Sequence, residues 1–302
     1  MLNASRGSGW RVAAVFLAAS SALAQAIPTT TESPNDYPAA LPVRKGQTPP
    51  ALVFKLVAEI PLPASPTGQE PVLEGGRLLV PVEGGTAAVE LAEPMTVRLE
   101  GPRPASPDAP SAWVLSDDGK FRVRTLPAGR VEAQKKGPIF RRFRHDWSLR
   151  APGATLAPAL IMGRRVLYGS VDNQVYCVRR KNGHRLWAVD LDDRISRPLA
   201  AWHRRLPVGA ASGGPATEVE IEMALVVPDG GASLLALDVY DGSRLGSFQV
   251  PSGKGMLASG PVALADGRIA VARTNYGSGG GSLLLLRLEP AVSEGTPKTG
   301  LK

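Results

Sequence analysis

Short apolar runs, separated by turns rich in glycine, asparagine and aspartate, recur along most of this chain. Within residues 162–190, the alternation of apolar and polar positions predicts β-strands at 165–168, 174–178 and 184–189. Val171-Asp172-Asn173 joins the first two strands, and Asn182-Gly183 joins the last two. Asn-Gly favours a type I′ turn, in which both central residues have positive φ. Three antiparallel strands cannot enclose a core alone, so this unit must stack on copies of itself.

Four further segments repeat the pattern, at 75–91, 111–126, 223–248 and 266–288. The fourth copy follows the third at a constant offset of 59 residues, which places Val166 on Leu225 and Asn182 on Asp241. The underlying period is about 44 residues, a length typical of propeller blades. The larger offset implies an insertion, which we predict as a surface loop at 202–220. The sequence therefore predicts an all-β protein, a β-propeller of about five four-stranded blades.

Two irregularities suggest how the propeller closes. Residues 55–60 form a lone predicted strand before the first copy, and the fifth copy lacks its last strand. Both are explained if the N-terminal strand completes the last blade, which buries two strand edges. The alternative is an incomplete propeller that closes only as an oligomer. No segment after the N-terminal region keeps the apolar period of a helix.

The N-terminal residues predict an exported protein. Arg6 and Arg11 precede an apolar stretch at 12–24, and Ala22-Leu23-Ala24 and Ala24-Gln25-Ala26 are cleavage-site patterns. We predict a signal peptide at 1–26, a disordered Pro/Thr-rich linker at 27–51, the propeller at 52–289 and a disordered tail at 290–302. The protein would be periplasmic or secreted, with no stable membrane span after cleavage. Retention of the signal as a membrane anchor stays open.

Composition narrows the classes of partner. The net charge of +8 becomes +6 without Arg6 and Arg11, which favours acidic envelope polymers or proteins over nucleic acid in an exported protein. Aromatic residues make up only 5%, which argues against a platform of stacking rings. Cys177 is the single cysteine, so no intramolecular disulfide can form. We expect it to be a buried apolar residue rather than a nucleophile.

No residue pattern predicts a catalytic, cofactor-binding or metal-binding site. Asp172, Asp192 and Asp193 could bind calcium, but aspartates in hairpins more often bond to nearby backbone. His145, Asp146 and Ser148 share one short strand, where alternate residues face opposite sides and cannot form a triad. His184 and His203 lack ligand spacing. The glycine-rich segment 277–282 precedes a strand rather than a helix, so we interpret it as a hairpin turn.

Basic residues form the one candidate binding patch, although the signal is weak. Its members would be charged residues in turns, namely Arg141, Arg142, Arg144, Arg164, Arg165, Arg204 and Arg205. Lys135-Lys136 and Arg179-Arg180-Lys181 form similar clusters. If several clusters share one rim of the propeller, they would bind an acidic partner. If they are scattered, they are ordinary solvated charges.

The third copy resembles a known repeat. Val166-Leu167-Tyr168-Gly169-Ser170, Val175-Tyr176-Cys177-Val178, Asn182-Gly183 and Leu186-Trp187 are similar to the pyrroloquinoline-quinone-like (PQQ-like) propeller repeat. In the second copy, Trp147 is similar to the tryptophan of this repeat. The fourth copy has Gly246 at that position instead. The family includes quinone-dependent dehydrogenases, and also non-enzymatic propellers such as that of the outer-membrane barrel assembly machinery.

The resemblance implies a non-catalytic binding or scaffold propeller that contacts a protein or acidic envelope partner through its inter-blade loops. The dehydrogenases of the family have a vicinal disulfide over the quinone, which a single cysteine cannot form. We therefore expect no cofactor. The alternative is a PQQ-dependent dehydrogenase-like or glycan-processing enzyme.

Overall fold

The computed structural model describes residues 50–101, 112–137, 142–208, 217–277 and 279–291. None of these residues is helical, and none of the described segments could cross a membrane as an apolar helix. The described chain forms five antiparallel sheets, which are the blades of a β-propeller. The predicted all-β fold with five blades is confirmed.

Each of the first four blades is a meander of four consecutive strands. The first blade contains β2 (Val72–Glu74), β3 (Arg77–Val82), β4 (Gly85–Glu90) and β5 (Thr96–Glu100). The second contains β6 (Val114–Leu115), β7 (Phe121–Leu126), β8 (Arg130–Lys136) and β9 (Phe143–Arg150). The third contains β10 (Leu160–Met162), β11 (Arg165–Gly169), β12 (Gln174–Arg179) and β13 (Arg185–Asp190). The fourth contains β14 (Ala200–Val208), β15 (Thr217–Val226), β16 (Ser233–Asp238) and β17 (Arg244–Gln249).

The fifth blade combines the two ends of the described chain. It contains β1 (Leu52–Leu62), β18 (Met256–Leu257), β19 (Val262–Ala263), β20 (Arg268–Thr274) and β21 (Gly281–Pro290). Its two short strands, β18 and β19, both pair with β20, so the blade still has four positions. β1 pairs with β21 along its whole length, from Leu52 opposite Pro290 to Leu62 opposite Gly281. The predicted closure by an N-terminal strand is confirmed.

A bulge in β1 lets this one strand contact two neighbouring blades. Leu56 pairs with Leu286 and Ala58 with Leu285, so Val57 is an extra residue in the ladder. Before the bulge, Phe54 packs into a cluster shared with the fourth blade. After the bulge, Ile60 packs into a cluster shared with the first blade. An uninterrupted strand would place both side chains on the same face, because side-chain direction alternates with a period of two.

Four clusters of buried apolar residues hold adjacent blades together. They join the second blade to the third, the third to the fourth, the fourth to the fifth, and the fifth to the first. None of the four joins the first blade to the second. The face of the second blade turned away from the third carries Arg122 and Arg124, which bond to Gln134 and Glu132. The guanidinium of Arg122 also lies between the rings of Trp113 and Phe143, 4.5 and 4.2 Å from their centroids.

The turn at Asn182-Gly183 differs from the prediction. Gly183 has a positive φ of 69°, but Asn182 does not, so this is not a type I′ turn. The N–H groups of both residues donate to the carbonyl of Arg179. The ladder between β12 and β13 contains a bulge at Cys177–Val178. A longer loop that ends in one left-handed glycine, next to a bulge, also matches the twist of the two strands.

The predicted surface loop at 202–220 was wrong for its described residues. β14 and β15 pair continuously from Ala200 opposite Leu225 to Val208 opposite Thr217. The insertion thus lengthens a hairpin instead of forming a loop. Leu206 and Val219 on this ribbon pack against the core between the fourth and fifth blades, and this apolar contact accounts for the added strand length.

Candidate functional site

Two kinds of turn lie at the same end of every blade. In a four-stranded meander, the turn between strands one and two and the turn between strands three and four share an end, because each strand reverses direction. Contacts between blades bring these ends together. Arg180 pairs with Asp118 across the second and third blades, and Trp187 Nε1 donates to the Val239 carbonyl (3.0 Å) across the third and fourth. Trp202 Nε1 donates to the Gly267 carbonyl (3.2 Å) in the fifth blade. We call this end the turn end.

The predicted patch residues that the structure describes all lie at the turn end. Arg142 and Arg144 follow the turn between β8 and β9, and Arg164 and Arg165 form part of the hairpin of β10 and β11. Arg204 and Arg205 lie on the lengthened hairpin of the fourth blade. Arg141 lies outside the described residues.

Two of these arginines are engaged in contacts between blades. The guanidinium of Arg165 lies 4.5 Å from the centroid of the Tyr240 ring in the fourth blade. Arg204 donates a hydrogen bond to the Ala265 carbonyl in the fifth blade. The topology therefore brings the two arginines to the same end as the rest of the patch, but their side chains help to hold the blades together.

The fourth-blade ribbon is not a basic surface. Arg205 lies opposite Glu220, and His203 Nε2 is 2.6 Å from Glu220 Oε1. Glu218 is exposed on the same strand, two residues away. Arg205 is thus surrounded by carboxylates, which separates it from the arginines of the second and third blades.

The remaining cations form a continuous basic surface on two adjacent blades. Nine exposed residues belong to the turn end of the second and third blades, and we call them the basic arc: Lys120, Lys135, Lys136, Arg142, Arg144, Arg164, Arg179, Lys181 and Arg185. The acidic residues in these turns are Asp117 and Asp118, and Arg180 neutralises the second. Lys120 and Arg185 could not be assigned to the patch from the sequence, because neither lies in a run of basic residues. The order of the strands places both at the same end of the blades as the basic clusters.

The strand register places like charges opposite one another, once within the arc and once between an arc residue and Arg165. Lys135 pairs with Arg144 across β8 and β9, and Arg165 pairs with Arg179 across β11 and β12. Like charges directly opposite in a sheet are destabilising, by roughly 0.2–1 kcal/mol for each pair. The ion pairs of the described second and third blades use Arg124, Arg130 and Arg180 instead of these four residues.

Like-charge pairs elsewhere in the protein have a carboxylate beside them. Arg130 opposes Arg150, but its Nε is 3.0 Å from Glu132 Oε1. Arg268 opposes Arg287, and its Nε is 2.6 Å from Asp266 Oδ2. Arg165 is compensated in a different way, because its guanidinium lies against the Tyr240 ring and its charge opposes the rise in the pKa of Glu222 that burial causes. Lys135 and Arg144 are thus kept opposite one another without an ion pair, an arrangement typical of a functional surface.

Asp118 and Arg180 fix the relative position of the two blades beneath the arc. Arg180 Nη2 is 3.0 Å from Asp118 Oδ2, and its guanidinium lies 4.8 Å from the centroid of the Phe121 ring. Burial alone would raise the pKa of Asp118. Hydrogen bonds from Ser116, the Lys120 backbone N–H and Arg180 outweigh that effect and lower the pKa to about 2.

Stability should depend on this carboxylate at acid pH. Because the pKa of Asp118 is lower in the folded chain than its ordinary value of 3.8, its contribution is complete above about pH 4 and is lost as the pH falls towards 2. We expect a loss of about 1 kcal/mol over this range, after allowance for solvent screening of the partly exposed group. Thermal unfolding as a function of pH measures it. Asp118→Asn should abolish this part of the pH dependence and Asp117→Asn should retain it; equal curves for the two variants would contradict the assignment.

The aspartates considered as calcium ligands are engaged in local bonds. Asp172 accepts a hydrogen bond from the Tyr176 hydroxyl (2.6 Å), and Asp193 accepts one from the Arg194 N–H (2.7 Å). The Gln174 N–H also donates to Asp172 Oδ1 (3.4 Å), so both carboxylates bond to nearby backbone, as expected for aspartates in turns. No group of three or more His, Cys, Asp or Glu side chains within the described ranges is arranged to hold a metal ion.

The remaining candidate residues show no catalytic arrangement. Cys177 is fully buried, and this burial raises the pKa of its thiol to about 12. His145, Asp146 and Ser148 are exposed on β9, which bulges at Asp146 between the pairs Ala133–Trp147 and Gln134–His145. Gly277 and Gly279 have positive φ in the turn between β20 and β21, as expected for a hairpin.

Comparison with known proteins gives structural similarity alone. No family model matches this chain, and no curated protein matches it. Among solved structures, BamB from Moraxella catarrhalis is similar with 16% identity and a TM-score of 0.39, over 74% of this chain and 62% of BamB. Glutaminyl cyclase from Myxococcus xanthus is similar with 12% identity and a TM-score of 0.39, over 81% of this chain and 100% of the cyclase. Sqt1 from Saccharomyces cerevisiae is similar with 10% identity and a TM-score of 0.42, over 81% of this chain and 66% of Sqt1.

Proposed function

We propose that this chain is a non-catalytic binding propeller that engages an acidic partner through the basic arc. The observation that carries the proposal is the concentration of nine exposed cations on two adjacent blades. Among them, Lys135 and Arg144 lie opposite one another, and the ion pairs of the described second and third blades use other residues. An anionic partner would remove the repulsion and would gain charge-assisted hydrogen bonds from several guanidinium groups.

The proposal places the protein outside the cytoplasm. Its support is the sequence pattern of an export signal, with Arg6 and Arg11 before an apolar stretch. An envelope protein or an acidic envelope polymer is then the class of partner available to a basic surface. The enzymatic alternative has its own test. Dye-linked alcohol oxidation by the purified protein with added quinone and calcium would overturn a non-catalytic role.

Charge reversal in the arc should abolish binding to an acidic probe. We expect the variant with Arg142→Glu, Arg144→Glu and Arg179→Glu to bind poly-glutamate at least tenfold more weakly than the unchanged protein, because three cationic contacts become repulsive. Fluorescence anisotropy with labelled poly-glutamate at several salt concentrations measures the affinity. The affinity of the unchanged protein should fall steeply as salt is added.

The matched control reverses exposed cations away from the turn end. Arg150→Glu, Arg194→Glu and Lys254→Glu change residues that are also exposed but follow strand ends or connecting segments at the opposite end of the blades. We expect this control to lose less than twofold in affinity. Equal losses in the two variants would show attraction by net charge alone and would contradict a site at the arc.

A further inference from the structure

Two like-charge pairs lie on neighbouring blades that Arg180 and Asp118 hold together. Lys135 and Arg144 belong to the second blade, and Arg165 and Arg179 belong to the third. Arg180 holds the two blades together between these pairs by its contacts with Asp118 and with the Phe121 ring. The basic arc therefore presents two cationic positions at a set distance, not a diffuse charge.

The spacing of the blades sets the spacing of the anions that would fit. Packed sheets lie about 10 Å apart, and propeller blades diverge further away from their axis. An extended peptide rises about 3.3 Å per residue, so carboxylates three or four residues apart cover this distance. Adjacent carboxylates would reach only one pair. The arc thus favours two acidic positions separated by a short spacer.

Exposed apolar side chains flank the arc and favour a peptide over other polyanions. Leu115 precedes the turn between β6 and β7 and is 54% exposed, and Leu186 follows Arg185 on β13 and is 37% exposed. A peptide can offer apolar side chains next to its carboxylates, whereas a polyphosphate or an acidic polysaccharide cannot. A lipid surface offers mobile headgroups that match any spacing, so it gains nothing from two positions at a set distance.

We infer that the partner of the basic arc is an extended acidic segment of a protein, with carboxylates three or four residues apart that bind the Lys135–Arg144 pair and Arg179 at the same time. This inference rests on the proposed function, because it names the partner class of the same surface. It assigns Arg144 and Arg179 as the residues that select for the spacing between the two carboxylates, since each is the exposed arginine of its pair.

Two peptides of equal composition test the spacing. One carries two glutamates four residues apart, with three Gly/Ser residues between them, and the other carries the same two glutamates side by side. We expect the spaced peptide to bind the full chain at least fivefold more tightly by fluorescence anisotropy. Arg144→Gln and Arg179→Gln should each remove this preference, and Arg150→Gln should retain it.

A stability measurement separates loss of binding from loss of folding. Arg144→Gln and Arg179→Gln each remove a like-charge pair, so both variants should melt at the same temperature as the unchanged protein or higher while they bind the spaced peptide more weakly. A lower melting temperature would show that these arginines serve the fold, and would overturn their assignment.

The outcomes distinguish this inference from the proposed function. Equal affinity for the two peptides, lost upon charge reversal of the arc, would overturn the spacing and leave an acidic-partner site in place. Tighter binding to phosphatidylglycerol vesicles than to the spaced peptide would overturn the choice of a protein segment. Failure of every anionic probe to bind would overturn the proposed function itself.

Discussion

Deletion of one exposed residue, Val57, is expected to unfold this protein or to remove most of its stability. Val57 is 47% exposed and has no partner in the ladder with β21, so its side chain contributes little to stability. Its removal would eliminate the bulge and force one half of β1 to slip by one residue. The slipped half would turn either Leu52 and Phe54 or Ile60 and Leu62 out of the core.

The loss can be estimated from the residues that become exposed. Each buried large apolar side chain contributes roughly 2–4 kcal/mol, so two of them amount to about 4–8 kcal/mol. That is comparable with the whole stability of a typical domain, about 5–15 kcal/mol. Urea unfolding followed by tryptophan fluorescence gives the free energy of unfolding. The control is Val57→Ala, which keeps the bulge and should change stability by less than about 1 kcal/mol; an equally stable deletion variant would refute the role of the bulge.

Gly242→Ala is expected to destabilise the protein by more than about 3 kcal/mol, because this glycine forms the surface on which a tryptophan of the neighbouring blade packs. A Cβ at Gly242 would lie 2.5 Å from Val189 Cγ2 and 2.8 Å from Trp187 Cε3. The Trp187 indole also donates to the Val239 carbonyl three residues before the glycine. To accept a methyl group, Trp187 must move and lose both the packing and the hydrogen bond.

A second glycine provides the matched control for backbone strain. Gly242 has φ of 79° and Gly253 has φ of 77°, but a Cβ at Gly253 would meet nothing within 4 Å. Gly253→Ala therefore reports the cost of a left-handed alanine alone, about 1 kcal/mol. The difference between the two variants in urea unfolding isolates the contact between blades. Equal losses would show that the tryptophan contact adds nothing.

The blades and their closure could be predicted from the sequence because they depend on local patterns. Turn residues such as Asp118-Gly119 and Asp241-Gly242 and the period of about 44 residues define the strands. The lone strand at 55–60 has one place to pair once the blades are counted. The Val57 bulge could not be predicted, because Leu56, Val57 and Ala58 are all apolar and do not show which residue leaves the ladder.

The lengthened hairpin was missed for a related reason. Residues 209–216 are rich in glycine and alanine, a composition typical of loops, and they obscured the alternation on either side. Leu206, Val219 and Ile221 carry that alternation, and they pack towards the fifth blade. Only the register between β14 and β15 shows that these residues lie on one face.

The candidate site was predicted in part. The sequence identified arginine clusters, but their number gives no information about which end of the propeller they occupy. Strand order alone would have placed Arg142, Arg144 and Arg164 at one end. The like-charge pairs could not be predicted without the register, because Lys135 and Arg144, or Arg165 and Arg179, become neighbours only through strand pairing.

The pairing of β1 with β21 also determines the order in which parts of the chain can fold. During synthesis or export, β1 emerges first among the described strands, but its partner β21 emerges last among them. Contacts between such distant parts of a chain form slowly relative to local hairpins. In the interval, the apolar residues of β1 and of the nearly complete fifth blade are accessible to other chains, and incomplete β-sheets of this kind aggregate readily. We therefore expect the chain to be most prone to aggregation in the interval before β21 pairs with β1.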